Sequence, residues 1–121
     1  MIAPPRAPTL SVIVPCRDGA RYLADTMRSV LLQEPLPLEV LVIDDGSCDA
    51  SPAIARSFGP PVRSVRQERT GAAAARNRGA AQARGEVLGF LDADDLWTAG
   101  AVRRLLDALI ADPEAAWAIG S

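Results

Sequence analysis

Short apolar runs alternate with stretches of helical period, and two of those runs end in acidic turns. Together these observations predict an α/β protein with a mostly parallel, Rossmann-like sheet flanked by helices. The runs lie at residues 10–14, 39–44, 62–66 and 87–91, and the helical stretches at 20–33, 50–58, 71–83 and 98–111. Right-handed crossovers between such strands bring their carboxyl ends to one edge of the sheet, the edge at which open α/β sheets bind ligands.

The first run, LSVIV, is β-branched and apolar and is stopped by Pro15, which cannot donate to a ladder. A turn through residues 16–19 leads into the first helix, whose Leu23, Met27, Val30 and Leu31 recur on one face. Pro35 and Pro37 break the chain before the second strand. Ser47 or Asp49 can cap the helix that follows. Gly59, Pro60 and Pro61 end that helix, and residues 62–66 read as a third, more exposed strand. The alanine-rich helix has little side-chain bulk, so it can lie close to the sheet or let a ligand approach its backbone. The last helix presents Val102, Leu105, Leu106, Leu109 and Ile110 as a buried stripe and stops at Asp112 and Pro113. Residues 117–120 begin a further strand. Residues 1–9, with three prolines, form an N-terminal extension to a domain spanning 10–121.

Composition narrows the chemistry. The chain has 121 residues, 49% of them hydrophobic, which suits one compact domain. A net charge of -2 offers no field for nucleic acid. All thirteen basic residues are arginine, and lysine and histidine are absent. That removes the P-loop lysine, the Schiff base, histidine-dependent nucleophilic catalysis and histidine-ligated zinc. Two isolated cysteines, Cys16 and Cys48, and no signal peptide or membrane span point to a reducing, cytoplasmic setting, free or at the inner face of the membrane. Cys16 reads as small filler, Trp97 and Trp117 as core anchors, and Arg103 and Arg104 as a solvated helix face.

The acidic turns carry the chemistry. The fourth strand runs straight into Asp92, Asp94 and Asp95. If strand geometry persists, Asp92 and Asp94 point the same way, and their repulsion is relieved by a divalent cation between them and a polyanion. Asp44 and Asp45 close the second strand in the same manner, so the two tips should emerge from neighbouring parallel strands on one edge. Asp-Asp-Gly-Ser is also an ordinary turn with a helix cap. Two such clusters at equivalent strand ends favour a nucleotide site built without lysine, in which one carboxylate accepts from a base or ribose and another holds the metal on a diphosphate.

The segments SVIVP at 11–15, 23–33 with Ser29 and Gln33, VIDDGS at 42–47, Gly71 leading to Arg76 and Asn77, Gly85-Glu86, and FLDADD at 90–95 with Trp97 occur in this order over residues 10–109. In that order and spacing they resemble the family 2 glycosyltransferases. The resemblance implies a glycosyltransferase-A fold and an inverting transfer of sugar from a nucleotide-diphospho-sugar, most simply a UDP-sugar, to an unknown acceptor hydroxyl with Mn2+ or Mg2+. It implies that Asp45, with Asp44 beside it, meets the base, and that Pro15, Arg17 and Asp18 line the loop under base and ribose. Asp18 stands where the family most often has asparagine. Gly71 and Arg76 fall near base and phosphates. Asp94 is the first choice for the metal, with Asp92 on ribose or in support and Asp95 an alternative ligand. The family's general base is expected beyond Trp117, so the chain reads as the donor-binding half, and an exposed sheet edge predicts homo-oligomers.

Rival readings fail on particular residues. A dehydrogenase needs Gly-x-Gly-x-x-Gly after the first strand, where only Gly19 occurs. A receiver domain needs a lysine on a later strand, and a nucleotidyltransferase a glycine- and lysine-rich first loop. A non-catalytic nucleotide-binding or assembly module is the remaining alternative.

Overall fold

The structure, a computed structural model, describes residues 8–112; the strand expected at 117–120 and Trp117 lie outside them. The elements are β1 (Leu10–Cys16), α1 (Ala20–Leu31), β2 (Glu39–Asp45), α2 (Ser51–Ser57), β3 (Val62–Gln67), α3 (Ala72–Gln82), β4 (Val87–Phe90) and α4 (Ala101–Ala111). The four strands form one sheet of order β3-β2-β1-β4, and every pairing is parallel. The predicted fold class is therefore the observed one. The two acidic tips are not on adjacent strands, however: β1 lies between β2 and β4 because the chain returns across β1 after building the sheet outward through β3.

β1 is buried on both faces, as a central parallel strand must be. Leu10, Val12, Val14 and Cys16 enter the larger core with Leu23, Met27 and Val30 of α1, Ala55 of α2, and Val102, Leu105 and Leu106 of α4. Ile13 points the other way, into a smaller core with Leu41, Ile43 and Ala75 of α3. Trp97 joins the larger core as the expected anchor, and its ring lies over Gly89. Cys16 is buried filler there. Alternation along β4 then turns Leu88 and Phe90 to the opposite face, where they are 40% and 48% exposed. No helix among the described residues is long and apolar enough to cross a membrane.

Several expected details shift. α4 begins at Ala101, three residues late, because Gly100 takes a left-handed φ of 80° that breaks the preceding turn. Ile110 leaves the predicted stripe and is half exposed. α1 ends at Leu31, two residues early. Ala50, not Ser47 or Asp49, stands at the N-cap position of α2, yet Asp49 Oδ1 accepts the N–H and hydroxyl of Ser51, the first residue of that helix, and its Oδ2 accepts the Ala20 N–H at the start of α1, while Ser47 Oγ accepts the Asp18 N–H. Arg104 bonds back to Ala99 O and Thr98 Oγ1 and so braces the turn at the head of its own helix, whereas Arg103 is exposed.

At the amino-terminal end of the sheet, Glu39 is almost fully buried. Burial alone would raise its pKa, but bonds from the Arg84 N–H and the Ser11 hydroxyl, with the charges of Arg84 and Arg63, hold it below the usual carboxylate range. The carboxylate thereby ties β1 and β2 to the approach to β4.

The small residues of α3 let it sit against the sheet. A Cβ on Gly79 would lie 2.5 Å from Ile13 Cγ2 and 2.8 Å from Cγ1, in a part of the core that cannot yield. Gly79→Ala is therefore expected to destabilise the chain by about 1–3 kcal/mol despite the better helix propensity of alanine. Urea denaturation measures this, and Ile13→Ala, which removes both clashing γ carbons, should cost less in the Gly79→Ala background than in the parent chain.

Candidate functional site

Four loops gather at the carboxyl rim: those after β1, β2, β3 and β4. β4 ends at Phe90, and after one more ladder bond, Leu91 N–H to Ile13 O at 3.0 Å, the chain leaves the sheet. Residues 92–95 make a turn closed by Asp95 N–H to Asp92 O at 3.0 Å. The carboxylates of Asp92, Asp94 and Asp95 converge, with one oxygen from each lying within 4.8 Å of the others, and all three residues are exposed. The predicted clustering is present, but the turn produces it and not strand alternation, which stops two residues earlier.

The acids after β2 are placed differently. Asp44 and Asp45 are only 1% and 3% exposed. Asp44 Oδ1 accepts the Ser47 N–H at 2.9 Å, and Oδ2 pairs with Arg66 at 2.9 Å. Asp45 Oδ1 accepts Gln67 Nε2 at 2.9 Å and the Thr70 N–H at 2.8 Å, while Oδ2 accepts the Gly71 N–H at 3.0 Å. The Gln67 bond, then the Thr70 and Gly71 amides and the Arg17 charge, outweigh burial and hold the Asp45 carboxyl below its ordinary value. These acids shape the loops around them, and Gly71, at φ 105°, turns the chain into α3 from that anchorage.

Asp18 stitches the first loop to the second. Its N–H donates to Ser47 Oγ at 2.9 Å, its Oδ1 accepts the Cys48 N–H at 2.7 Å, and Arg69 lies 3.9 Å from Oδ2. These bonds hold Asp18 at φ 51°, which a non-glycine residue seldom adopts. Next to it the Gly19 and Ala20 amides donate to Ser51 Oγ and Asp49 Oδ2. Pro15 is half-buried at the base of this loop and Arg17 is exposed at its tip. From α3, Arg76 reaches Asp92 at 3.5 Å and so links the third loop to the acidic turn. All ten predicted site residues thus lie on one rim.

Sequence reasoning passed over Gln67 and Thr70, which together with Gly71 complete the cradle of Asp45. Their signal was a polar pair placed between the end of a strand and a glycine. A cavity of about 360 Å³ lined by Arg63, Gln82 and Arg84 opens at the opposite end of the sheet. Two of those arginines already face Glu39, so that end offers internally paired charge, whereas the carboxyl rim offers converging exposed acids.

The sheet is parallel throughout and its strand order reverses at β1, a fold shared with solved glycosyltransferases of glycosyltransferase-A architecture. A model of the family described as glycosyl transferase family 2 matches residues 11–119, and the chain belongs to that family. An uncharacterized glycosyltransferase of Nostoc is 35% identical over 102 residues, covering 81% of this chain and 32% of that protein. The succinoglycan biosynthesis protein ExoO of Rhizobium meliloti is 34% identical over 104 residues, 84% of this chain and 30% of that one. Among solved structures, a mannosyltransferase from Pyrobaculum calidifontis in complex with GDP-Man and Mn2+ matches with a TM-score of 0.77 and 30% identity over 89% of this chain and 34% of its own. S. aureus TarS in complex with UDP-GlcNAc matches with a TM-score of 0.75 and 26% identity over 85% and 31%. The chain spans about a third of the length of the curated relatives it matches.

The depressed Asp45 ionisation has a sign. Its contribution to stability is complete above the unfolded aspartate value of about 3.9 and is lost as pH falls through the lower folded value. Asp45→Asn is expected to lower stability at pH 7, since asparagine cannot accept all three bonds, and to flatten the fall in stability as pH drops below about 4. Urea midpoints measured across that range check both.

Proposed function

We propose that this chain is the donor-binding portion of an inverting glycosyltransferase that takes its sugar from a nucleotide-diphospho-sugar, most simply a UDP-sugar, with Mn2+ or Mg2+. The convergence of Asp92, Asp94 and Asp95 on the rim that also carries Asp18, Asp45 and Arg76 is the observation behind this reading. Three carboxylate donors within 4.8 Å of one another fit a hard cation, which prefers oxygen ligands, and are a poor match to the nitrogen and sulfur sets of zinc. Asp94 would hold the ion, with Asp92 and Asp95 beside it. When bound, such a cation offsets the negative charge that builds on a departing diphosphate.

The chain's own residues do the rest. Asp18, pinned to the second loop, fixes the floor on which base and ribose are placed, with Pro15 and Arg17 on either side. Asp45 holds the Thr70 and Gly71 backbone around the base, and Asp44 keeps the turn beside it closed. Arg76, poised against Asp92, brings positive charge to the phosphates. The acceptor site and the base that deprotonates its hydroxyl are placed in the further length that relatives possess.

Isothermal titration of UDP and GDP into the chain, with and without Mn2+, tests this reading. Metal-dependent binding that falls at least about tenfold in Asp94→Ala is expected, a loss typical of a disturbed metal site. Binding indifferent to metal and to the substitution would instead support a non-catalytic nucleotide-binding module. The exposed Leu88 and Phe90 also favour self-association of this chain. Sedimentation velocity should show larger species as concentration rises, and Leu88→Arg with Phe90→Ser should return the monomer.

A further inference from the structure

The acidic turn lies in an irregular stretch between the end of β4 and the start of α4, and three like charges within 4.8 Å push it open. What opposes that repulsion is a set of polar side chains on α1 and just past its end. Thr26 Oγ1 donates to Ala93 O at 2.8 Å, the carbonyl of the residue between Asp92 and Asp94. Ser29 Oγ donates to Thr26 O at 2.7 Å and accepts the Trp97 N–H at 3.1 Å. Gln33 Nε2 donates to Thr98 O at 2.9 Å and to Ser29 O at 3.1 Å, and its Oε1 accepts the Val102 N–H at 3.1 Å.

Thr26 and Ser29 follow i, i+3 spacing on one face of α1, and Gln33, two residues past the helix end, continues that line through its bond to Ser29 O. Thr26 is fully buried and Gln33 nearly so. A buried hydroxyl or amide that lost its partner would carry the full cost of desolvation, so these bonds fix where the loop runs. The contact is also close on the other side, where a Cβ on Gly19 would come within 3.4 Å of the Ala93 Cβ.

We infer that Thr26, Ser29 and Gln33 are positioning residues for the cation site: they fix the backbone of residues 93–102 from behind, so the three carboxylates meet at the rim before any ion arrives. This inference rests on the metal-site reading given above. The ligand oxygens repel one another, so an unbraced turn would have to be drawn together at the moment of binding, and the ion's affinity would fall by that amount. Supporting contacts of this kind typically change metal affinity 10–100-fold.

The test is a Mn2+ titration of the full chain followed by electron paramagnetic resonance of the free ion, with UDP present. Thr26→Val keeps the shape and removes the hydroxyl, whereas Thr26→Ser keeps the hydroxyl. The expected result is about tenfold weaker Mn2+ binding in Thr26→Val, near-parental binding in Thr26→Ser, and faster amide hydrogen exchange at residues 93–97 in the valine variant alone. Ser29→Ala, which removes the acceptor of the Trp97 N–H at a half-buried position, should weaken Mn2+ similarly and serves if the valine variant does not fold. Parental Mn2+ affinity in folded Thr26→Val or Ser29→Ala overturns the positioning role while leaving the metal site standing. If the parent chain takes up no Mn2+, both fall together.

Discussion

Everything at the rim depends on β1 being paired on both edges and buried on both faces. Its neighbours β2 and β4 are laid down at different times, one immediately after it and the other after the chain has gone out to β3 and returned. That reversal leaves the loops after β1, β2 and β4 side by side at the carboxyl end, the point at which open α/β sheets form a crevice. The side chains of β1 alternate between two cores, and Ile13 lies directly against Gly79 of α3. A change in the central strand would therefore move both walls of the crevice.

Around that crevice the carboxylates divide into two kinds. Asp44 and Asp45 are buried and spend their oxygens on backbone amides and side chains of their own chain. Asp92, Asp94 and Asp95 turn outward, and Asp92 meets Arg76 at the edge of its turn. The first kind is scaffold that behaves like an extended helix cap, satisfying loop amides that no ladder reaches. The second kind faces solvent. The same residue type serves both ends because burial and partners, not identity, set what a carboxylate does.

Much of this was legible in the sequence. The eight elements declare themselves through β-branched runs, helical spacing and proline stops, and the Gly-Pro-Pro break falls where chain direction must change. The acid cluster was legible as a cluster but not in its geometry. Strand alternation predicts a common direction for Asp92 and Asp94, yet the ladder ends at Phe90 and a turn produces the convergence. The order of the strands was not legible either, because residues 87–90 are compatible with either side of β1. The burial of Glu39 and the polar residues on α1 and just past its end were hidden for one reason: periodicity marks apolar faces, while a buried polar side chain is decided by a partner distant in sequence. Gln33 finds Thr98 and Val102, some 65 to 69 residues away.

The absence of lysine and histidine has a further consequence. Every cationic side chain at the crevice is a guanidinium, which keeps its proton at any pH a cell reaches. No residue type there has an ordinary ionisation between pH 5 and 8; thiols lie above that span, and burial pushes that of Cys16 higher still. The positive side of the crevice's field is thus constant over the pH range of a cell, so a change in it has to come from what lies against those arginines and not from proton uptake by them.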